Sequence, residues 1–321
     1  MSCSRRERRL TRPAALLVGV GLSGCAPDLV FTHTAALRGA FDTVEIGADP
    51  ADLHHAGGGR VLRRALPDGA VGAVFQPGLA GVRLLAVDER GGAAAALVAA
   101  RGAAFVWTGA GAEEPLADAA GGSGARAAAV GGGRWVMLQA APSCRLWWGR
   151  AGDAPVAQAL PADACAAGRL ALDAAGARAF LPTEAGLYVA DGAALARVEA
   201  APGTLVVHEP LTDTAVVGTP GAAEVVAWSA AEGAEAWRVV LPYPVVDLAV
   251  LSEPGLIVAL LVDGDGAALA LLDGATGDGL QSLDLPVVPV GVRASATAGA
   301  VVTWSADELH AFRVDATQVQ R

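Results

Sequence analysis

Short apolar runs rich in Val, Leu and aromatic residues, broken by Gly, Asp and Pro, fill the chain from Gly81 onward. Strands joined by tight turns have this pattern, whereas helices repeat their apolar positions every three or four residues. The runs arrive in fours. Gly81–Asp88, Ala94–Ala99 and Ala103–Trp107, with a weaker run before Gly121, make the first group. Ala125–Val130, Arg134–Gln139, Cys144–Trp148 and Val156–Leu160 make the second. Gly168–Asp173, Arg178–Leu181, Gly186–Ala190 and Ala194–Val198 follow in the same order. Thr204–His208, Thr214–Val217, Glu224–Trp228 and Glu235–Leu241 come next, then Val245–Val250, Gly255–Leu261, Ala267–Leu272 and Leu280–Leu285. The last group, Val287–Arg293, Ala300–Trp304 and Glu308–Val314, lacks an outer strand.

Two markers fix the period. The third-strand anchors Trp107, Trp148, Val189, Trp228, Leu272 and Phe312 are 41, 41, 39, 44 and 40 residues apart. The prolines opening successive units, Pro161, Pro202, Pro242 and Pro286, step by 41, 40 and 44. Proline suits a first strand position, where no ladder donor is lost. Four strands in every ~40–50 residues define the blade of a β-propeller. The expected fold is therefore all-β, a propeller of four-stranded blades over residues 25–321, regular from about Gly81. Six units fit after Gly81, and Asp28–Ala80 has room for one more, so seven blades are expected, with six the alternative. Runs at Asp28–Thr32, Phe41–Ile46, Val61–Leu66 and Val71–Phe75 are the candidate strands of that less regular stretch. A strand near Asp28–Thr32 would complete the last blade and close the ring, leaving no open edge.

The best-preserved units carry a resemblance. Ala227-Trp228-Ser229-Ala230-Ala231-Glu232-Gly233 followed by Trp237, and Asp273-Gly274-Ala275-Thr276-Gly277, resemble the Ala-x-Asp-x-x-Thr-Gly-x-x-x-Trp repeat of quinoprotein-like (pyrroloquinoline quinone repeat, WD40-like) propellers. Asp173 to Arg178 resembles the first-hairpin turn of related bacterial surface propellers. Ser229 and Glu232 replace Asp and Thr in one copy, and Gln281 stands for the Trp in the other. The resemblance implies that Trp237 docks one blade on the next; it carries no catalytic role. Propeller lipoproteins of this kind include an accessory of outer-membrane protein assembly, which is not an enzyme.

The N-terminus reads differently from the rest. Arg5, Arg6, Arg8, Arg9 and Arg12 precede an apolar core from Pro13 to Gly24, too short to span a bilayer. A lipoprotein signal peptide over residues 1–24 is expected. Leu22-Ser23-Gly24-Cys25 resembles the lipobox of bacterial lipoproteins, which implies lipidation at Cys25 and an anchor on the outer membrane, facing periplasm or surface. The alternative is ordinary secretion with Cys25 a plain thiol. Without residues 1–24 the chain keeps 18 arginines against 32 acidic residues and no lysine. So acidic a body repels phosphate backbones, and nucleic acid is not an expected partner.

Composition narrows the chemistry. No lysine and only five histidines leave a thin acid–base inventory. Neither a nucleophile–His–Asp spacing nor a phosphate loop nor a cofactor box is present, so no enzyme activity and no cofactor are expected. Cys144 and Cys165 precede a third strand and the next blade's first strand, placing both on one face; the expectation is a disulfide, the alternative two buried thiols. Arg83, Arg126 and Arg169 are spaced by 43 and 43 residues near the start of three innermost strands. Three guanidiniums there would hold a carboxylate or sulfate by forked hydrogen bonds. Alternatively they pair with neighbouring carboxylates or face solvent. Asp263-Gly264-Asp265-Gly266 lacks the further carboxylates of a calcium loop and reads as a hairpin turn. His54-His55, with Asp49 and Asp52, reads as a solvated loop rather than a metal site. Trp147-Trp148 must present one ring to each face of its strand, as blade core or as a sugar-stacking platform.

The expected function is a lipid-anchored cell-envelope scaffold that binds or assembles envelope proteins. The alternatives are a small-ligand or glycan-binding module, or a propeller enzyme such as a lyase, hydrolase or quinone-dependent dehydrogenase.

Overall fold

The computed structural model describes residues 31–47, 53–66, 68–76, 82–87, 96–100, 103–107, 113–115, 124–141, 143–150, 153–198, 202–295 and 299–315. Over these the chain forms seven four-stranded antiparallel sheets arranged around a channel. Strand β1 (Phe31–Arg38) stands apart in the order. Blade 1 is β2 (Thr43–Ile46), β3 (Leu53–Gly57), β4 (Arg60–Arg64) and β5 (Val71–Phe75). Blade 2 is β6 (Arg83–Val87), β7 (Ala96–Ala100), β8 (Ala103–Trp107) and β9 (Glu113–Pro115). Blade 3 is β10 (Ala125–Gly131), β11 (Arg134–Gln139), β12 (Arg145–Gly149) and β13 (Val156–Ala159). Blade 4 is β14 (Ala171–Leu172), β15 (Ala179–Thr183), β16 (Gly186–Ala190) and β17 (Leu195–Val198). Blade 5 is β18 (Leu205–Glu209), β19 (Thr214–Gly218), β20 (Glu224–Ser229) and β21 (Ala234–Val240). Blade 6 is β22 (Val245–Leu251), β23 (Leu256–Asp263), β24 (Gly266–Asp273) and β25 (Gly279–Leu285). Blade 7 is β26 (Gly291–Ala294), β27 (Ala300–Trp304), β28 (Glu308–Val314) and, as its outer strand, β1.

The expected closing strand is present, a little further along the chain than Asp28–Thr32. β1 runs antiparallel to β28, from Phe31 opposite Val314 to Arg38 opposite Glu308. The first described strand thus clasps the last and covers the outer edge of β28.

Both faces of an inner strand are buried, which explains the unbroken apolar runs. In β11, Trp135 and Met137 pack toward blade 2, while Val136 and Leu138 pack toward blade 4. Seven apolar clusters lie between consecutive sheets, one at each joint of the ring. Each fully buried Leu, Val or Phe contributes roughly 1.5–3 kcal/mol, so the joints and not the single sheets hold the fold. Trp147 and Trp148 divide as alternation requires. Trp147 joins the cluster shared with blade 2 and donates to Gln139 Oε1, and Trp148 joins that shared with blade 4 and donates to Gln158 Oε1. Both rings are buried, which removes them as a stacking platform.

Trp237 of β21 reaches the neighbouring blade. Its indole N–H donates to the Gly274 carbonyl at 2.9 Å, and its ring lies so close to Gly277 that a Cβ there would approach within 2.7 Å. Gly277 also has φ +77°, so glycine is required on both counts. Asp263-Gly264-Asp265-Gly266 is the two-residue hairpin joining β23 and β24, with Asp263 paired to Gly266.

One sequence reading is overturned. His54 and His55 are not in a solvated loop: they lie in β3 with 1% and 2% of their surface exposed. The polar look of the stretch misleads because Arg64 folds back on it, its Nε donating to His55 Nε2 at 2.9 Å, while Phe41 packs on the ring. Asp49 and Asp52 lie outside the described residues.

Candidate functional site

The first strand of every blade lines the channel, which encloses a cavity of about 500 Å³. Strand direction sorts the two mouths. One carries the connections between blades and the second-to-third-strand hairpins; the other carries the first-to-second and third-to-fourth hairpins. Arg83, Arg126 and Arg169 all line the cavity near the connection-side mouth, where inner strands begin.

Their equal spacing does not make them equivalent. The β6–β7 pairing is bulged between Leu84 and Ala86, and the β10–β11 pairing between Ala125 and Ala127. Arg126 occupies its bulge, and the matching residue of blade 2 is Leu85, not Arg83. A bulge inserts one residue and re-aims the side chains around it, so a repeat counted along the sequence slips here.

The three arginines also differ in their partners. Arg169 reaches past blade 5, and its Nη1 donates to Asp247 Oδ1 at 2.9 Å and to the Leu248 carbonyl at 2.6 Å. Arg83 donates only to the Ala125 carbonyl, at 2.7 Å, among the contacts of the described residues. Arg126 is exposed to the channel and makes no hydrogen bond or ion pair with any described residue.

Three channel residues with charge escaped the sequence reading: Glu45, Asp247 and Arg293. Arg293 Nη1 donates to Asp247 Oδ2 at 2.6 Å, and its Nε donates to Glu45 Oε1 at 2.8 Å. Its guanidinium also lies 5.1 Å from the centre of the Trp304 ring. Asp247 accepts in addition from the backbone N–H of Leu248 and of Val292. Burial alone would raise the Asp247 pKa; Arg293, Arg169 and the two amides outweigh it and hold the carboxyl below the usual range. A chain Arg169–Asp247–Arg293–Glu45 therefore links blades 4, 6, 7 and 1 across the channel. The available signal was Asp247 itself, a lone carboxylate inside an apolar strand, which must be paired if buried.

At the opposite mouth a second network joins blades 4 and 5. Asp173 accepts from the Ala177 amide and Arg178 Nε, and Arg178 Nη2 donates to both oxygens of Asp213 at 2.6 and 2.8 Å. Asp213 also meets His208 Nε2 at 3.0 Å. Every charged group here has a partner within the network, which makes it a joint between blades. Among the described residues no cluster of three or more His, Cys, Asp or Glu side chains could hold a metal ion.

The connection face carries two further features. Cys144, just before β12, and Cys165, in the short 3-10 helix Ala162–Ala166 before β14, are bonded, with Cα atoms 5.6 Å apart. The bond ties blade 3 to the lead-in of blade 4. Val240 at the end of β21, Tyr243 on the link from blade 5 to blade 6, and Val288 and Val290 on the link from blade 6 to blade 7 are 73%, 39%, 39% and 61% exposed. Cys25 lies outside the described residues.

No protein-family model matches the chain, and no curated protein matches it in sequence. Many solved structures match in fold. The β-propeller domain of Cps50 (Swd1) from Myceliophteria thermophila superposes with a TM-score of 0.68 at 12% identity, covering 89% of this chain and all, 100%, of that one. A chain of the mitotic checkpoint complex gives 0.69 at 11% identity, covering 90% of this chain and 98% of its own. Identities this low establish shared fold alone, a WD40-like β-propeller of four-stranded blades.

Proposed function

We propose that the chain is a lipid-anchored β-propeller of the bacterial cell envelope that binds or assembles other envelope proteins and catalyses no reaction. The observation that carries this reading is the exposed apolar set Val240, at the end of β21, and Tyr243, Val288 and Val290, on two successive blade links, all on the connection face. Large apolar side chains grouped on a surface mark sites of protein contact, and aromatic residues are enriched at the core of such contacts. The charged side chains deep in the channel support it, since Asp247, Arg293, Glu45 and Arg169 are engaged with one another. Of the two similar structures, one is described as part of a complex, the mitotic checkpoint complex. The anchor rests on the Arg-rich start, the short apolar core and Leu22-Ser23-Gly24-Cys25.

The test has two arms. Cys25→Ser should move the protein from the membrane to the soluble fraction of a Gram-negative host, and the parent should carry the mass of a diacylglyceryl cysteine. Cross-linking of the anchored parent in cells, followed by mass spectrometry, should yield one recurrent envelope protein, lost in Tyr243→Asp/Val290→Asp. An unchanged set of cross-links in that variant, or none in the parent, would sink the scaffold reading.

A further inference from the structure

The connection-side mouth is half filled. On one side, Arg169 and Arg293 converge on the Asp247 carboxylate, and Arg293 holds Glu45 as well. On the other side, Arg83 and Arg126, from adjacent blades, have no carboxylate at all among the described residues. Arg83 is tethered through the Ala125 carbonyl, the residue before Arg126, so its guanidinium sits at the root of the Arg126 side chain. Among the described residues, four arginines and two carboxylates face this mouth, in a chain whose net charge is −10. A local excess of positive charge inside such an acidic body is the place where an anion gains most. The low-dielectric walls of the channel focus the field of these charges and strengthen that attraction.

We infer that Arg83 and Arg126 form a binding site for an external carboxylate. The carboxylate completes on blades 2 and 3 what Asp247 supplies on the far side: two guanidiniums sharing one planar anion. Guanidinium forks match carboxylate oxygens in pairs, which makes arginine the residue for this task. Val290 and Pro220 line the same cavity and offer apolar contact to whatever carries the acid group. The ligand is thus a small carboxylate with an aliphatic body, for which succinate is the probe, or an acidic side chain or chain end of a docked protein. The second source rests on the scaffold reading; the first does not.

Thermal unfolding of the full chain decides it. In low-salt buffer, millimolar succinate should raise the melting temperature by about 3–6 °C, the effect of a ligand at roughly a hundred times its Kd on a chain of this size. Sodium chloride at equal ionic strength should not. Arg126→Gln and Arg83→Gln/Arg126→Gln should melt as the parent does without ligand and should lose the succinate shift. Arg313→Gln, an exposed change on β28, should keep it. No shift in the parent, an equal shift with chloride, retention of the shift in the double variant, or a larger shift with phosphate overturns the inference. A peptide ending in a free carboxylate, compared with its amide, identifies the source: a greater shift for the acid peptide than for succinate points to a docked protein, and the reverse to a free small carboxylate. Either result supports the site, whether or not the cross-linked partner of the scaffold reading is found.

Discussion

At His55, burial and the neighbouring Arg64 guanidinium act on the imidazole in the same direction. Desolvation, then the Arg64 charge, lower its pKa from 6.5 to about 4. Since Arg64 donates to Nε2, the folded ring is neutral and carries its proton on Nδ1. The unfolded chain takes up a proton near pH 6.5 and the folded chain does not, so stability falls as pH drops from about 6.5 to about 4. The cost at the acid end of that window is about 3 kcal/mol. His55→Gln should flatten the dependence of urea midpoint on pH over that window, and an unaltered slope would show that other groups cause it. Residue-scale chemistry was the least legible level in the sequence. A His-His pair among acids looks like surface chemistry, and its true role emerges only when Arg64 and Phe41 are brought over it by strand pairing. The same holds for Arg293, whose two carboxylate partners lie 46 and 248 residues away.

Strands were legible because their physics is local. A strand covered on both faces must be apolar at consecutive positions, and tight turns must use Gly, Asp or Pro, so blades 3 to 6 could be read directly. Trp237 was readable in the same way, as a bulky outer-strand residue set against the small Gly274 and Gly277 of the next blade. Boundaries slipped where polar side chains end a ladder. Gly168–Asp173 reads as one strand, yet only Ala171 and Leu172 pair with β15. Asp173 beyond them is taken by the Arg178 and Ala177 donors instead. The 43-residue arginine spacing puts all three side chains on the channel but in unequal register, since Arg126 sits in the bulge of its strand and Arg83 lies two residues before the matching bulge of blade 2. The clasp strand β1 gives a prediction at this scale. Deleting residues 31–38 bares the edge of β28 and opens the joint formed with blade 1 by Ala35, Leu309 and Ala311. The truncated chain should elute as oligomers in size-exclusion chromatography and lose a single cooperative melt. A monomer with the parent's melting temperature would show that β1 is dispensable.

Across the whole molecule, the channel ion chain is a brace between blades that are not neighbours. Asp247 connects blade 6 with blades 4 and 7, and Arg293 carries the link on to blade 1. Removing one member of a buried set leaves the others uncompensated, which typically costs 3–5 kcal/mol. Asp247→Asn should therefore lower the unfolding free energy by about that amount at neutral pH. The loss should shrink in acid. A carboxyl with a depressed folded pKa gives its full stabilisation above the unfolded value near ~3.9, and that stabilisation disappears as pH falls through the folded value. Denaturant melts of parent and variant across pH test both statements, and equal stabilities at neutral pH would refute the brace. The disulfide adds a covalent tie of the same kind between blades 3 and 4, worth about 3 kcal/mol in a loop-entropy model.

The clasp also decides how the ring answers to mechanical load. Phe31 at the start of β1 lies opposite Val314 near the end of β28, so a pull that separates those two ends strips the ladder one rung after another, like a zip. A pull from Phe31 against the body of the ring, along the strand, instead stretches all the rungs of β1 in parallel. Under the proposed anchoring, a propeller held from its amino end by a membrane and tugged by a partner on the connection face would be loaded in this second, stronger direction. Cargo fused to the carboxyl end would load it in the first. Force spectroscopy with handles at those two places should give a markedly higher rupture force for the shearing geometry.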